Sequence, residues 1–148
     1  MPTYFVNATH GLLTSAQKKQ VAEEITRAHS SATGAQGFFA QVIFNEIPAD
    51  NHFMGGVLIE TKQVFVHGHI RAGRTEEQKK LLLDDVIASI HKITRLERRY
   101  VWAYIAELAP SNMVEYGQVL PKPGSEAEWL EALPEEDRAY MLSLKGAR

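Results

Sequence analysis

Apolar residues recur along this chain with two spacings, one typical of strands and one typical of helices. Two runs rich in β-branched and aromatic residues, Thr3–Ala8 and Phe39–Asn45, predict strands. Between them, apolar residues fall three and four positions apart on one helical face: Val21, Ala22, Ile25 and Ala28. The first third of the chain is therefore predicted to form a strand, a helix and a second strand.

The same order returns 61 positions further along, without a gap over residues 2–48. The second copy has predicted strands at Val64–Ile70 and Tyr100–Glu107. Its helix carries an apolar face made of Leu82, Leu83, Val86, Ile87 and Ile90. Pro48 and Pro110 end the second strand of each copy, since proline cannot donate to a strand ladder. Matching structural signals at one fixed offset indicate an internal repeat.

Both predicted helices begin with the same capping signal. Thr14 is followed three positions later by Gln17, and Thr75 by Gln78. The threonine hydroxyl can accept from a backbone N–H of the first turn, and the glutamine can reach back to the capping residue. Each pair therefore predicts where a helix starts.

Two tandem β-α-β units, about 2–48 and 63–110, imply an α/β fold in one domain over 1–148. The predicted architecture is a four-stranded mixed sheet with both helices on one face and a C-terminal arm over about 118–148. The segment 50–62, with Gly55 and Gly56, predicts a turn or short hairpin between the units. In the arm, turn residues at 121–124 precede two helical patches, 126–130 and 134–144. Apolar residues on the other sheet face indicate oligomerisation.

Composition excludes several classes of protein. The chain has 148 residues, 45% of them hydrophobic, and a net charge of −2, which does not favour binding to nucleic acid. It has no cysteine, which excludes disulfides and thiolate catalysis. It has neither a signal-peptide pattern nor an apolar run of about 18 residues, so no membrane association and a cytoplasmic location are expected.

Pro2 is the first candidate for chemistry. A small second residue permits removal of Met1, and Pro2 would then carry a terminal secondary amine. Terminal amines titrate at about 7.7–8.0, close to neutrality, so this one could act as an acid, a base or a nucleophile. The alternative is that Pro2 has no catalytic role, as in many chains that begin Met-Pro.

His29 interrupts the apolar face of the first helix, where the repeat places Ile90 in the second copy. A hydrogen-bonded core histidine is the alternative to a functional one. None of the histidines has metal-ligand spacing on a helix. His67 and His69 share a strand face but have no evident third ligand, so no metal site is expected.

Arg71 and Arg74 flank the start of the second helix. Two guanidinium groups beside a helix N-terminus suit a bound carboxylate, although two solvated loop arginines are the alternative. Near the end of the last strand, Tyr104 shares a face with Trp102. Glu115 follows that strand in a loop. It is a candidate site residue if the other candidates converge on it, and a solvated charge otherwise.

Taken together, the proline after the initiator, the two β-α-β units and the arginine pair resemble the tautomerase superfamily. Within it, the chain is similar to the cis-3-chloroacrylic acid dehalogenase family. The stretches that carry this resemblance run nearly end to end: 28–29, 33–36, 40–42, 65–68, Arg71, 73–74, 101–102, Tyr104 and 113–117.

The resemblance implies a homotrimer with no cofactor and a small carboxylate as substrate. Residue by residue, it implies that Pro2, Glu115 and Tyr104 are catalytic and that Arg71, Arg74 and His29 bind the substrate. The arginines would hold the carboxylate of a 3-haloacrylate, with a hydrogen bond from His29. Glu115, oriented by Tyr104, would activate water to attack C3, while cationic Pro2 protonates C2 and malonate semialdehyde forms.

Neutral Pro2 would instead catalyse keto–enol tautomerisation, as of phenylpyruvate, so a side activity of this kind is expected. Two other hypotheses stay open at this point. The chain could be a tautomerase of an unknown 2-oxo acid with weak or no dehalogenation. It could also be a binding or signalling protein that keeps the pocket as a relic.

Overall fold

The computed structural model describes residues 2–144. Met1, on whose removal the expectation for Pro2 depends, lies outside the described residues. So does the end of the predicted arm, 145–148.

The elements of the structure follow the predicted order. The strands are β1 Thr3–Thr9, β2 Gln41–Ile47, β3 Phe53–Met54, β4 Val57–Leu58, β5 Val64–Arg71, β6 Val101–Leu108, β7 Val114–Glu115 and β8 Gln118–Val119. The helices are α1 Ser15–Thr33, α2 Glu76–Thr94, α3 Glu126–Ala132 and α4 Glu135–Ser143.

The main sheet has four strands in the order β2-β1-β5-β6. β1 pairs with β2, and β5 with β6, in parallel, whereas β1 and β5 are antiparallel. The mixed sheet of two β-α-β units is therefore confirmed. β2 and β6 each begin slightly later than predicted, because short 3₁₀ turns at Gly37–Phe39 and Arg98–Tyr100 precede them.

The core lies between one face of this sheet and the two long helices. Alternate residues of β1 and β5 are buried there, against the predicted apolar helix faces. The largest fully buried side chains include Tyr4, Ile25, Ile70, Leu82 and Ile90. Both helices thus cover the same sheet face, as expected.

Both capping boxes are present. Thr14 Oγ1 accepts from the backbone N–H of Gln17 at 3.1 Å, and the Gln17 side chain accepts from the Thr14 N–H at 3.0 Å. The pair at Thr75 and Gln78 has the same geometry. α1 ends at Gly34, whose φ of 74° is a conformation that glycine adopts at little cost.

Two small hairpins follow the two units. The predicted turn between the units is the hairpin β3–β4, with Gly55 and Gly56 at positive φ. The segment around Glu115, expected to be a loop, is a second hairpin, β7–β8. Because it lies 61 positions after the first, the repeat extends further than the sequence revealed.

Among residues 2–144, the sheet face away from the helices is left uncovered. Ile43, Trp102 and Tyr104 are exposed there, and the Phe65 and Tyr104 rings pack edge to face with centroids 4.9 Å apart. Exposed aromatic residues grouped in this way are typical of interaction surfaces. Across residues 2–144, no helix is both long and apolar enough to cross a bilayer.

Gly68 provides a stability test of this packing. A Cβ at this position would lie 2.5 Å from Cε1 and 2.8 Å from Cδ1 of the buried Tyr4 ring. We therefore expect Gly68→Ala to lower the free energy of unfolding by about 1–3 kcal/mol, as overpacked cores do. Urea denaturation measures it.

The double variant with Tyr4→Leu is the control, because the smaller side chain removes the clash. In that background Gly68→Ala should cost much less, which a double-mutant cycle detects. The same cost in both backgrounds would contradict the steric explanation.

Candidate active site

A pocket of about 380 Å³ lies where β5, the start of α2 and the end of α1 meet. Arg71 is the last residue of β5, and Arg74 lies just before α2 begins. Both arginines line the pocket together with Pro2 and His29. Four of the six residues singled out in the sequence therefore converge, although they come from three separate parts of the chain.

Pro2 is buried at the start of β1. Its carbonyl accepts from the backbone N–H of Gln41 at 2.9 Å, which extends the β1–β2 ladder to the beginning of the described chain. The ladder thereby fixes the proline ring at the wall of the pocket, where a terminal nitrogen would be in a defined position.

His29 is buried and hydrogen-bonded, and it also borders the pocket. Its Nδ1 lies 2.7 Å from the Tyr4 hydroxyl. Burial, together with the nearby charges of Arg74 and Arg71, lowers the pKa of His29 to about 3. The ring is therefore neutral near pH 7. In the tautomer where Tyr4 donates to Nδ1, Nε2 carries the proton and can act as a donor.

Arg71 is held by the C-terminal arm. Its side chain is only 8% exposed; Nη1 donates to the Pro121 carbonyl at 2.8 Å, and Nη2 forms an ion pair with Glu126. Burial raises the pKa of the Glu126 carboxyl, but the hydrogen bond and charge of Arg71, together with hydrogen bonds from backbone N–H groups, outweigh it and hold that pKa below its ordinary value. The first arginine of the pair thus already has a carboxylate partner.

Arg74 is less engaged. Its Nη1 makes a long contact of 3.4 Å to the Thr33 carbonyl, and its Nε is buried with no hydrogen-bond partner among the described residues. Burial, and then the charge of Arg71, lowers the pKa of Arg74. Because buried N–H donors are almost always hydrogen-bonded in folded proteins, this one is a candidate donor to an anionic substrate.

Glu115 lines a neighbouring cavity of about 460 Å³ that shares Pro2 and Phe39 with the first. Burial raises the pKa of the Glu115 carboxyl, and the charge of Arg71 opposes this. The structure thus brings Glu115 to Pro2, but in a different cavity from the one that the arginines line.

Tyr104 is not among the residues that line either cavity. It lies on the uncovered face of β6 and is 54% exposed. The strand period placed it correctly beside Trp102, but in one chain that face is not part of the arginine pocket. Its assignment to the site stays a prediction.

The sequence reasoning did not single out Tyr4, which is hydrogen-bonded to His29, or the pocket-lining Glu126 and Trp129. Tyr4 could have been found, because it puts a hydroxyl at a buried strand position two residues after Pro2. Glu126 and Trp129 gave no local signal, since they reach the pocket only through packing of the arm. The Trp129 indole N–H donates to the Val119 carbonyl at 2.8 Å, and its ring contacts Phe39 edge to face at 6.5 Å.

No group of three or more His, Cys, Asp or Glu side chains within residues 2–144 is arranged to hold a metal ion. The two arginines and His29, which converge on the pocket, are instead donors suited to an anion.

The model of the Tautomerase_3 family, described as "Putative oxalocrotonate tautomerase enzyme", matches residues 1–133. No curated protein matches the chain. Among solved structures, N1, a member of the cis-3-chloroacrylic acid dehalogenase family, is 34% identical with a TM-score of 0.90, over 96% of this chain and 99% of its own.

Two further structures are more distant. Native Ps01740 is 25% identical with a TM-score of 0.72, over 76% of this chain and 99% of its own. The F6 fused 4-OT, a wild-type asymmetric trimer, is 24% identical with a TM-score of 0.74, over 79% of this chain and 94% of its own. At that identity the match shows a shared fold alone.

Proposed function

Because the chain belongs to the Tautomerase_3 family and is also similar to N1, we propose that it is a cofactor-independent enzyme of the cis-3-chloroacrylic acid dehalogenase type. It adds water to a small unsaturated carboxylic acid and converts a 3-haloacrylate to malonate semialdehyde and halide. Phenylpyruvate tautomerisation is a side activity. The observation that carries this proposal is the convergence of Pro2, His29, Arg71 and Arg74 on one pocket.

The cationic end of the pocket binds the substrate. Arg74 supplies positive charge, Arg71 lies beside it in its ion pair with Glu126, and His29, neutral because its pKa is about 3, adds a hydrogen bond. Binding the carboxylate in this way draws electron density from C3 and makes that carbon electrophilic. Pre-organised donors of this kind contribute about 10²–10³-fold each to catalytic rates.

Pro2 and Glu115 move the protons. Glu115 takes a proton from a water molecule, whose oxygen attacks C3, while the cationic Pro2 nitrogen protonates C2. The halohydrin then loses halide and a proton to give the aldehyde. General acid–base groups contribute about 10²–10⁴-fold each. The raised pKa of Glu115 supports this role, since it makes the carboxylate a stronger base.

Tyr104 acts, in this proposal, across a subunit interface. It lies on the uncovered aromatic face of the sheet, and the fused 4-OT structure with the same fold is a trimer. We infer that three copies cover these faces in a homotrimer, which brings Tyr104 of one chain to Glu115 of another. A monomer in analytical ultracentrifugation at micromolar concentration would contradict this arrangement.

Two assays on one sample test the proposed function. Halide release from cis- and trans-3-chloroacrylate is measured beside phenylpyruvate ketonisation, on protein whose intact mass shows that Met1 is absent. The expected result is halide release from at least one isomer, with a higher kcat/KM than ketonisation. Ketonisation without halide release would favour a tautomerase of an unknown 2-oxo acid, and no turnover of any substrate would favour a binding protein.

The two activities are expected to depend on pH in opposite senses. Hydration requires the Glu115 carboxylate, whose pKa lies above the ordinary 4.5, so its rate should fall as pH drops through that raised value. It also requires cationic Pro2, so it should fall again at higher pH as Pro2 loses its proton. Ketonisation requires neutral Pro2 and should rise through the same upper pKa. His29, with a pKa of about 3, should contribute no limb near neutrality.

Profiles of kcat/KM against pH for both reactions check this expectation. The descending limb of halide release and the ascending limb of ketonisation should share one pKa within experimental error. Limbs that differ by a full pH unit would contradict a single group that acts in both reactions.

A further inference from the structure

The C-terminal arm forms one whole wall of the pocket. The arm residues that line it are Pro121, Gly124, Glu126, Ala127, Trp129 and Leu130. The proposed reacting groups belong to other parts of the chain, so the arm decides which substrates fit without supplying the chemistry.

Glu126 is built into this wall. One carboxylate oxygen pairs with Arg71 Nη2, and the other accepts from the Gly124 N–H at 2.8 Å. Arg71 is in turn held by the Pro121 carbonyl through its other terminal nitrogen. With both of its oxygens bonded, Glu126 is a fixed part of the pocket, and it cancels the charge of the more deeply buried arginine.

The charge that remains suits one carboxylate. Arg71, Arg74 and Glu126 are the lining residues that are charged near pH 7, because His29 is neutral there. Pro2 borders both cavities, and in the proposed function its cation donates a proton to C2 rather than binding the carboxylate. Arg74, with its buried and unpartnered Nε, is thus the cation left to bind an anion.

The pocket as a whole is larger than a three-carbon acid requires, and part of its lining is apolar. At the ~30 Å³ that a water molecule occupies in the liquid, the six non-hydrogen atoms of a chloroacrylate need roughly 180 Å³. The pocket measures about 380 Å³. Phe39, Trp129 and Leu130 line it, and the first two rings lie edge to face, which leaves apolar surface for a substituent.

We propose that the arm makes this pocket selective for a monocarboxylic acid that carries an apolar substituent. Arg74 binds the single carboxylate, Glu126 neutralises Arg71 and so excludes a second carboxylate, and Phe39 and Trp129 pack on the substituent. This inference rests on the proposed function, because it places the substrate carboxylate in the same pocket.

Binding of unreactive acids tests the inference without any catalytic step. Isothermal titration calorimetry on the processed protein compares 3-phenylpropanoate with propanoate, which lacks the ring, and with phenylsuccinate, which has one more carboxylate. We expect 3-phenylpropanoate to bind at least about tenfold more tightly than propanoate, because its ring is buried in the pocket. We expect a similar difference from phenylsuccinate, because the pocket excludes a second carboxylate.

Two substitutions separate the two contributions. Trp129→Ala should lower the affinity for 3-phenylpropanoate by about tenfold and leave the affinity for propanoate unchanged. Glu126→Gln should increase the affinity for phenylsuccinate by about tenfold, because it frees Arg71 to bind the second carboxylate. The affinity for 3-phenylpropanoate should change by less than threefold. Glu128→Gln, an equal charge change on the same helix at an exposed position outside the pocket lining, is the matched control and should behave as wild type.

Several results would overturn the inference. Equal binding of all three acids by the wild type would do so. If Glu126→Gln strengthened all three equally, Glu126 would be an internal ligand that substrates displace. Glu126→Asp keeps the charge and should keep the wild-type order; a reversed order there would mean that arm structure, rather than charge, sets the preference.

The two proposals fail differently. If only the selectivity is wrong, halide release and ketonisation proceed, but the three acids bind with equal affinity. If only the proposed function is wrong, the binding order holds while neither substrate is turned over.

Discussion

Protein that retains Met1 will lose both halide release and phenylpyruvate ketonisation, each by about 10²–10⁴-fold. With Met1 in place, the Pro2 nitrogen is part of a tertiary amide, which has no basic lone pair and no proton to donate near neutral pH. Pro2 is buried at the wall of the arginine pocket, which is where both proposed reactions need a group that moves a proton. The loss should therefore affect both reactions, whichever protonation state each one requires.

The cleanest comparison uses one chain before and after removal of a cleavable N-terminal extension that leaves Pro2 first. Intact mass assigns each state, and circular dichroism checks that both are folded. Pro2→Ala, processed in the same way, keeps a terminal amine and should lose less activity than the blocked chain. Activity of the blocked chain within tenfold of the processed chain would remove Pro2 from the mechanism.

Replacing Glu115 with glutamine will reduce halide release by about 10²–10⁴-fold and leave ketonisation within about threefold of wild type. The carboxamide has nearly the same shape as the carboxylate but cannot take a proton from water. Ketonisation needs no activated water, so it should not depend on this carboxylate. The position of Glu115 in the second cavity, beside Pro2 and away from the arginine lining, fits a role toward water rather than toward the substrate carboxylate.

The role of Glu115 is tested by measuring the rates of both reactions with Glu115→Gln and with the exposed Glu128→Gln. The second variant removes the same charge from the chain and should leave both rates unchanged. An equal loss of halide release and ketonisation in Glu115→Gln would show that Glu115 supports the site as a whole, and the assignment of water activation to it would be wrong.

The parts of the fold that the sequence predicted are those encoded locally or repeated. The capping boxes at Thr14 and Thr75 involve side chains only three positions apart, so their chemistry is visible in the letters. The strand period correctly placed alternate residues of β1 and β5 in the core. Because the repeat shows the same strand and helix signals in both units, the mixed sheet with both helices on one face could be predicted.

The parts that could not be predicted depend on contacts between distant segments. Glu126 pairs with Arg71 across 55 positions, and nothing near either residue indicates the other. The hairpin that carries Glu115 has the same turn geometry as the first hairpin, with Tyr116 at the positive-φ position that Gly55 occupies there. Because tyrosine replaces glycine at that position, the sequence did not indicate a turn. The position of Tyr104 shows a third limit, since the strand period fixes its face but not which chain that face meets.

The most direct measurement is the titration of the Pro2 nitrogen itself. The chain has six prolines, and after removal of Met1 only Pro2 has a nitrogen that titrates, so ¹⁵N-proline labelling isolates it in an NMR titration. We expect one titrating ¹⁵N signal, with a pKa that equals the shared upper pKa of the two rate profiles. A Pro2 nitrogen that titrates a full pH unit or more away from those limbs would contradict the claim that this group moves the proton.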